Sequence, residues 1–313
     1  MMIRAMSLIL ASMTLAACGN ATVVEEVPSA RTSTDASPAA SVSYQVTQED
    51  ADFEHPAGVL LQLGGGHTEE LRPWSWCMKG GCADGWRGDG SKLFSVGSPD
   101  HVDFTFALPG FEFEATFAEP GEGRCLRRVP GKVETLGEHS FRVYPAGPVS
   151  DWVIDLFGRG PGGDVSASFR WATPTAGTVP GNATGTASVL AAHDGSLDSY
   201  GIELGITGLP DTPKRASATI EVRSDSGKSV ILDVGRAKRD CWSKGDVSWH
   251  QQKPATEAVA LGGKSFTYVV RVDLDGETYT GTARWPEDTN EQITPGVPLT
   301  WDPPLPAYDG SKL

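Results

Sequence analysis

The chain of 313 residues is long enough for two domains of ordinary size. Its formal net charge of −14 argues against nucleic acid and anionic lipid as partners, because both carry negative charge. With 37 glycines and 22 prolines, the composition favours many short strands and turns over a helical bundle.

The first residues carry the three parts of an export signal. Arg4 supplies positive charge, an apolar run covers residues 5–15, and the string L-A-A-C ends at Cys18. This string resembles the bacterial lipobox, in which small residues fit a peptidase cleft and the cysteine thiol takes a diacylglycerol. The apolar run is shorter than the about 20 residues that cross a bilayer. We therefore predict a signal peptide at residues 1–17 and lipid on Cys18.

Lipid on Cys18 is the only membrane anchor that the sequence predicts, because no other long apolar stretch follows it. Stable attachment takes more than one acyl chain, and the resemblance to lipoproteins implies two or three. We expect the protein at the outer face of the membrane in a bacterial cell envelope. The membrane is thus the one partner that the sequence predicts, and a protein or glycan ligand stays unidentified.

Residues 18–50 are rich in alanine, serine, threonine, proline and acidic residues and hold few bulky apolar side chains. Such a segment cannot bury enough surface to offset the entropy lost on ordering. We predict a flexible linker that lifts the folded part away from the membrane.

From Gly58 onward, short runs alternate between apolar and polar residues, as in residues 111–117, 165–169, 217–222 and 278–285. Alternation with period two puts one face of a strand in a core and the other in water, which is typical of antiparallel sheets. Glycine-rich turn clusters separate the runs. The predicted fold class is all-β, with two tandem antiparallel β-sandwich modules of immunoglobulin-like type.

A partial repeat supports two modules. Cys125 precedes Trp152 by the same number of residues as Cys241 precedes Tyr268, and W-V-I-D-L then matches Y-V-V-R-V. Each copy runs through a glycine turn into a strand that ends in Arg-Trp, with the second copy two residues shorter in the turn. The alternative is chance similarity between two hairpins.

The proline- and glycine-rich segment 173–182 predicts the boundary between the modules. We place the first module at residues 51–175 and the second at 183–306.

Four cysteines remain beside Cys18: Cys77, Cys82, Cys125 and Cys241. An even number in an exported chain indicates two disulfides, with three possible pairings. A zinc site is disfavoured because a second well-spaced ligand pair is missing. Glycines between Cys77 and Cys82 let a short loop close, which leaves Cys125 for Cys241 across the module boundary. The rivals are Cys125 bonded to Cys77 or Cys82, and a free Cys241.

The segment from residue 71 to 89 holds the candidate ligand-binding residues Trp74, Trp76, Asp84, Trp86 and Asp89. One interpretation is a disulfide-pinned loop that offers flat aromatic faces to sugar rings, with acids that bind hydroxyls or calcium. The other, which we favour, is that the tryptophans fill a sandwich core beside a disulfide.

Three strings together carry a resemblance to known sequences: LRPWSWCMKGGCADGW, DLFGRGPGGDVSASFRW and SFTYVVRVDLDGETYTGTARWP. They resemble a group of uncharacterised actinobacterial lipoproteins, over residues 60–301. The resemblance implies an envelope location and brings no activity and no site residues.

The sequence carries no HExxH zinc helix, no G-x-S-x-G elbow and no Walker loop, and no G-x-G-x-x-G that leads from a strand into a helix; the glycines of residues 158–163 predict a turn. Residues 273–277 lack the rest of a calcium loop, and Asp275-Gly276 predicts a tight hairpin turn. A pair of acids for glycoside hydrolysis stays open, because spacing in space is not visible in a sequence. We predict no catalytic residues, cofactor or metal site, and a non-enzymatic binding or structural role. The alternative is a carbohydrate-binding module or glycan-acting enzyme.

Overall fold

The computed structural model describes residue 54 and residues 56–121, 125–193, 196–237, 241, 243–289 and 296–310. The predicted signal peptide, the lipidated Cys18 and the linker to residue 50 lie outside the described residues. Strands dominate the described part of the chain, together with one α-helix of four residues, α1 (Thr256–Val259). None of the helices in that part is long and apolar enough to span a membrane.

The first module contains eleven strands in two antiparallel sheets. The strands are β1 (Val59–Gln62), β2 (Thr68–Leu71), β3 (Ser75–Met78), β4 (Gly81–Ala83), β5 (Val102–Phe106), β6 (Glu112–Ala118), β7 (Arg128–Gly131), β8 (Val133–Gly137), β9 (Ser140–Val143), β10 (Asp151–Gly160) and β11 (Gly163–Ala172). One sheet has the order β2-β1-β5-β9-β8 and the other the order β4-β3-β11-β10-β6-β7.

The second module contains the other eleven strands. They are β12 (Thr184–Ser188), β13 (Ala191–His193), β14 (Ser196–Asp198), β15 (Ile202–Thr207), β16 (Ala216–Ser224), β17 (Ser229–Val234), β18 (Val247–Gln251), β19 (Phe266–Leu274), β20 (Glu277–Trp285), β21 (Val297–Pro298) and β22 (Thr300–Asp302). The two large sheets have the orders β18-β15-β12-β21 and β17-β16-β19-β20-β22, and β13 and β14 form a separate hairpin.

Alternation along the strands builds a separate hydrophobic core in each module. In β5, Val102, Phe104 and Phe106 are buried while the residues between them are partly exposed. Phe104 contacts Phe113 of the other sheet edge-on, with ring centroids 5.0 Å apart, so the two sheets pack face to face. The second core likewise combines residues from both of its large sheets.

The strand order identifies the type of sandwich. In the first module β1-β5-β9-β8 faces β7-β6-β10-β11, and in the second β12-β15-β18 faces β17-β16-β19-β20. These orders correspond to strands A-B-E-D in the first module and A-B-E in the second, each facing C′-C-F-G of an immunoglobulin-like sandwich. The predicted fold class of two tandem antiparallel β-sandwich modules is therefore confirmed.

The last hairpin of each module corrects the alignment that the sequence suggested. Trp152 lies opposite Trp171, and Phe266, not Tyr268, lies opposite Trp285. Both hairpins close through two residues, so the two copies match without a gap there. The predicted shortening of the turn was therefore wrong. It came from aligning Tyr268 with Trp152, whereas the strand register makes Phe266 the equivalent residue and leaves both turns the same length.

The Asp275-Gly276 turn is present as predicted. It joins β19 to β20, with φ of 56° at Asp275 and 100° at Gly276. Two consecutive positive φ angles match the twist of the flanking strands, which is why this dipeptide favours a tight hairpin.

Both disulfides have the preferred pairing. Cys77 and Cys82 lie opposite each other on β3 and β4, with Cα atoms 4.0 Å apart. Cys125 bonds to Cys241 across the modules, with Cα atoms 4.9 Å apart and a sequence separation of 116. The rival pairings and the free Cys241 are thereby contradicted.

A buried arginine reinforces the junction between the modules. Arg127 is 2% exposed and belongs to the first module, yet it donates hydrogen bonds to the carbonyls of Leu209, at 2.8 Å, and Pro210 in the second. Its guanidinium carbon lies 4.1 Å from the ring centroid of Tyr308. Tyr308 follows the second module in sequence but packs into the core of the first. The two modules are therefore fastened at several points.

Candidate functional site

The tryptophan segment begins as a hairpin at the edge of the six-stranded sheet. β3 pairs with β11 on one side and with β4 on the other, and the Cys77–Cys82 disulfide crosses the hairpin. The chain then leaves β4 and crosses the outer face of the same sheet. Gly90 touches this face so closely that a Cβ there would lie 2.9 Å from a methyl carbon of Val153.

An ion pair fixes this crossing loop. One terminal nitrogen of Arg87 donates to both carboxylate oxygens of Asp155 on β10, at 2.9 and 2.8 Å. Their side chains are 7% and 14% exposed. Separating two charges that are so little exposed to water would leave each of them buried without a partner, at a high cost in free energy. The pair therefore holds the loop in one position.

Asp155 also takes part in further polar contacts on the outer face of the sheet. Ser168 donates to Asp155 at 2.7 Å, and the indole nitrogen of Trp74 donates to Ser168 at 2.9 Å. Arg128 approaches Asp155 at 3.4 Å. The network explains why Trp74 is half-buried, and sequence reasoning missed it, because nothing in the sequence places Arg87 beside Asp155.

The structure does not bring the three predicted tryptophans into one platform. Trp74 is engaged in the network, and Trp76 is half-buried against the first core. Trp86 is 64% exposed and is the one strongly exposed tryptophan in the described part of the chain. The segment therefore combines both interpretations, with two indoles that pack and one that faces solvent.

The two predicted acids have different surroundings. Asp84 is exposed and accepts a hydrogen bond from the Ser75 hydroxyl at 3.3 Å. Asp89 caps the 3-10 turn Gly90–Lys92 by accepting from the backbone nitrogen of Ser91 at 2.9 Å, and this bond lowers its pKa. Asp84, two residues before the exposed Trp86 in sequence, is thus the more exposed of the two predicted acids.

A second candidate site is a small pocket in the second module. It has a volume of about 120 Å³ and is lined by Ser188, Val189, Leu190, Ala191, Tyr200, Gly201, Glu203 and His250. Tyr200 is 64% exposed, and Glu203 lies directly opposite His250 on the neighbouring strand. Sequence reasoning missed this pocket, because its side chains come from separate strands.

The first module has a pocket of about 150 Å³ at the corresponding end. It is lined by Gln62, Leu63, Gly64, Phe94, Ser95, Val96, Pro99, His101 and Val102. Its lining includes the polar side chains of Gln62, Ser95 and His101 but no carboxylate, whereas Glu203 lines the pocket in the second module.

Asp246 is the described carboxyl with a clearly raised pKa. It lies half-buried near the module junction, where loss of water raises its pKa from 3.8 to about 6, although Arg127 and Arg128 act in the opposite direction. The protonation of Asp246 is therefore coupled to the charge of Arg127 at the module junction.

The described residues contain no group of three or more histidines, cysteines, aspartates or glutamates arranged to hold a metal ion. The four cysteines are consumed by disulfides.

Comparison with known proteins adds little to this picture. No family model and no curated protein matches the chain. A solved structure to which it is similar, the titin domains z1z2 in complex with telethonin, shares 11% identity, covers 61% of this chain and 90% of that chain, and has a TM-score of 0.17. A TM-score this low supports no conclusion about the function of this protein, so function has to be inferred from the site residues themselves.

Proposed function

We propose that the protein is a lipid-anchored lipoprotein of the bacterial envelope whose two sandwich modules act as one rigid, non-enzymatic binding or structural body. In this proposal Cys18 carries the lipid and residues 18–50 set the distance from the membrane.

The observation that carries the proposal is the fastening of the module junction. The Cys125–Cys241 bond and the buried Arg127 both join the modules, which suits a body that holds a surface in a fixed orientation. The two pockets described above, of about 120 and 150 Å³, are each smaller than the about 300–1,000 Å³ of sites that enclose small molecules.

Detergent phase partition tests the anchor. Full-length protein expressed in a bacterium that processes lipoproteins should enter the detergent phase, because acyl chains bring it there. Cys18→Ser should stay in the aqueous phase, whereas Ser33→Ala in the linker should behave as the wild type. Wild-type protein in the aqueous phase would contradict the proposal.

A second candidate function is carbohydrate binding through the tryptophan loop. It is favoured by the exposure of Trp86 and of Asp84, two residues earlier in the same loop, and by the Arg87–Asp155 pair, which fixes the loop before any ligand arrives. An exposed aromatic ring and an exposed carboxylate on one fixed loop suit the apolar face and the hydroxyls of a sugar ring.

A glycan array tests this candidate. Wild-type protein should bind at least one glycan class, and Trp86→Ala should lose most of that signal. The matched control is Ile231→Ala, which removes an apolar side chain that is 69% exposed in the other module. Equal loss in both variants, or no binding by the wild type, would rule out the tryptophan loop as a sugar site.

A further inference from the structure

The free edge of β17 carries main-chain groups that point away from its sheet. β17 lies at one end of the sheet and pairs with β16 alone. The amide of Ser224 at the end of β16 donates to the carbonyl of Lys228 at 2.9 Å, just before β17 begins. Bonded pairs alternate along an antiparallel ladder, so every second residue after Lys228 bonds to β16. The residues between them direct their N–H and C=O groups to the free edge; they are Ser229, Ile231 and Asp233.

The same three residues carry the outward side chains of β17. Ile231 is 69% exposed, and Ser229 and Asp233 are exposed on either side of it. Leu232 and Val234 alternate with them and are buried in the core of the second module. Within the described part of the chain, no hydrogen bond reaches the main-chain groups of Ser229, Ile231 or Asp233. The edge therefore combines unpaired backbone with an exposed apolar side chain.

The other edge strands of the two modules are protected against further pairing. β7, the equivalent of β17 in the first module, contains Pro130, β21 contains Pro298, and two prolines follow β22. β2 carries two glutamates, β8 contains a bulge, and β4 has three residues. The chain covers β18, where Ala237 donates to Ser248. β17 has six residues without proline, glycine or lysine, and such an edge is a template for another strand.

The sequence of β17 is complementary to itself about Ile231. In antiparallel pairing of two copies centred there, Ile231 lies opposite Ile231 of the second copy. Ser229 lies opposite Asp233, so a hydroxyl can donate to a carboxylate on each side of the axis. Val230 lies opposite Leu232 on the side that faces the cores. This register also pairs all the outward main-chain groups, whereas a shift by two residues would place Ile231 opposite a polar side chain.

We propose that two copies of the chain associate through β17, antiparallel and centred on Ile231, so that their five-stranded sheets become one continuous sheet. This contact is here called the β17 interface. A twofold interface is closed, because each copy uses its one free β17 edge and none remains for a third copy. The proposal does not depend on the lipid anchor or on sugar binding.

The β17 interface is confined to one strand, so the dimer should be weak and reversible. We expect a dissociation constant on the order of 100 µM, as for small transient interfaces. At the sub-micromolar concentrations of a glycan array the chain is then monomeric, and Ile231→Ala stays a neutral control there.

Sedimentation equilibrium tests the association. The full chain carrying Cys18→Ser is used, so that lipid cannot drive the contact. Its average mass should rise from that of a monomer towards that of a dimer between about 5 and 500 µM, following a single monomer–dimer equilibrium. A monomer over the whole range would overturn the proposal, and so would growth beyond a dimer.

Variants at two positions test the surface and its register. Ile231→Lys should abolish association, because two ammonium groups would meet at the twofold axis. Ser229→Lys should tighten the dimer about fivefold, because each lysine faces Asp233 of the second copy, and Ser229→Asp should weaken it by a similar factor. The matched controls are Thr68→Lys and Thr68→Asp, which change the net charge equally at an exposed position of β2.

The charge variants separate a specific contact from general repulsion between acidic chains. Equal effects at Ser229 and Thr68 would refute the proposed register, and wild-type association of Ile231→Lys would refute the interface. Amide spectra check that each variant is folded; if Ile231→Lys is not, the Ser229 variants decide.

Amide hydrogen exchange locates the contact on the wild-type sequence. At low concentration the amides of Ser229, Ile231 and Asp233 should exchange rapidly, whereas those of Val230 and Leu232, which bond to β16, should be protected. At about 500 µM the first three should gain several-fold protection, because they then bond to the second copy. Association without added protection at Ile231 would place the contact elsewhere and contradict the proposal.

Discussion

Replacement of Arg127 tests how the modules are held together. Arg127→Ala removes two charge-assisted hydrogen bonds to the carbonyls of Leu209 and Pro210, each worth about 1.5–3 kcal/mol. The substitution also removes the cation–π contact with the Tyr308 ring, worth about 1–2 kcal/mol. Against these losses stands the recovered cost of burying a guanidinium, several kcal/mol. We expect Arg127→Ala to lower the free energy of unfolding by about 2–4 kcal/mol.

Urea denaturation followed by tryptophan fluorescence measures this change, and amide hydrogen exchange places it. The amide of Tyr308 donates to the carbonyl of Gly208 at 2.9 Å, so it should exchange faster in Arg127→Ala. Arg127→Met keeps the apolar stem and separates packing from charge. Arg159→Ala removes an exposed arginine of the same module and should stay within about 0.5 kcal/mol of the wild type. A similarly small effect in Arg127→Ala, with unchanged exchange at Tyr308, would refute the junction argument.

Three further predictions concern stability. Since the pKa of Asp246 is raised from 3.8 to about 6 in the folded protein, its ionisation destabilises the fold as pH rises from about 4 to 6. In urea titrations, the free energy of unfolding of Asp246→Asn should therefore rise by about 1–2 kcal/mol relative to that of the wild type between pH 4 and pH 7, after allowance for partial exposure. An equal difference between the two proteins at both pH values would contradict this. Cys125→Ser with Cys241→Ser should lower the melting temperature in calorimetry, because closing this loop removes about 5 kcal/mol of chain entropy from the unfolded state, and an unchanged melting temperature would count against it. Gly163→Ala should destabilise strongly in the same assay, because its Cβ would lie 1.8 Å from the carbonyl oxygen of Cys77 and φ is 130°; a neutral result would refute that close approach.

Much of the fold was predictable because alternation is a local signal. Each strand of an antiparallel sandwich buries every second residue, so the pattern in β5 or β16 is visible without knowledge of its neighbours. The pairing of Cys125 with Cys241 was predictable as well, because the short glycine-containing loop left only one other partner.

The register of the repeated hairpin was not predictable in the same way. Tyr268 resembles Trp152 in chemistry, whereas the structure places Phe266 in the equivalent position. All three side chains are large, aromatic and inward-facing, so the sequence alone does not distinguish a shift of two residues.

The sites were only partly predictable, because they depend on contacts between distant strands. The sequence indicated the tryptophan segment, but not that Arg87 and Asp155 would hold it and leave Trp86 exposed. Glu203 and His250 are far apart in the chain and meet through the register of β15 and β18. A single sequence carries no signal for such a pair.

The central claim is that the protein is anchored through lipid on Cys18, and mass spectrometry of the N-terminal peptide tests it most directly. The account predicts a peptide that begins at Cys18 and carries a diacylglyceryl group in thioether linkage. A peptide that continues unmodified from Ala17 into Cys18 would contradict the account, and so would a mature N-terminus elsewhere with a free thiol at Cys18.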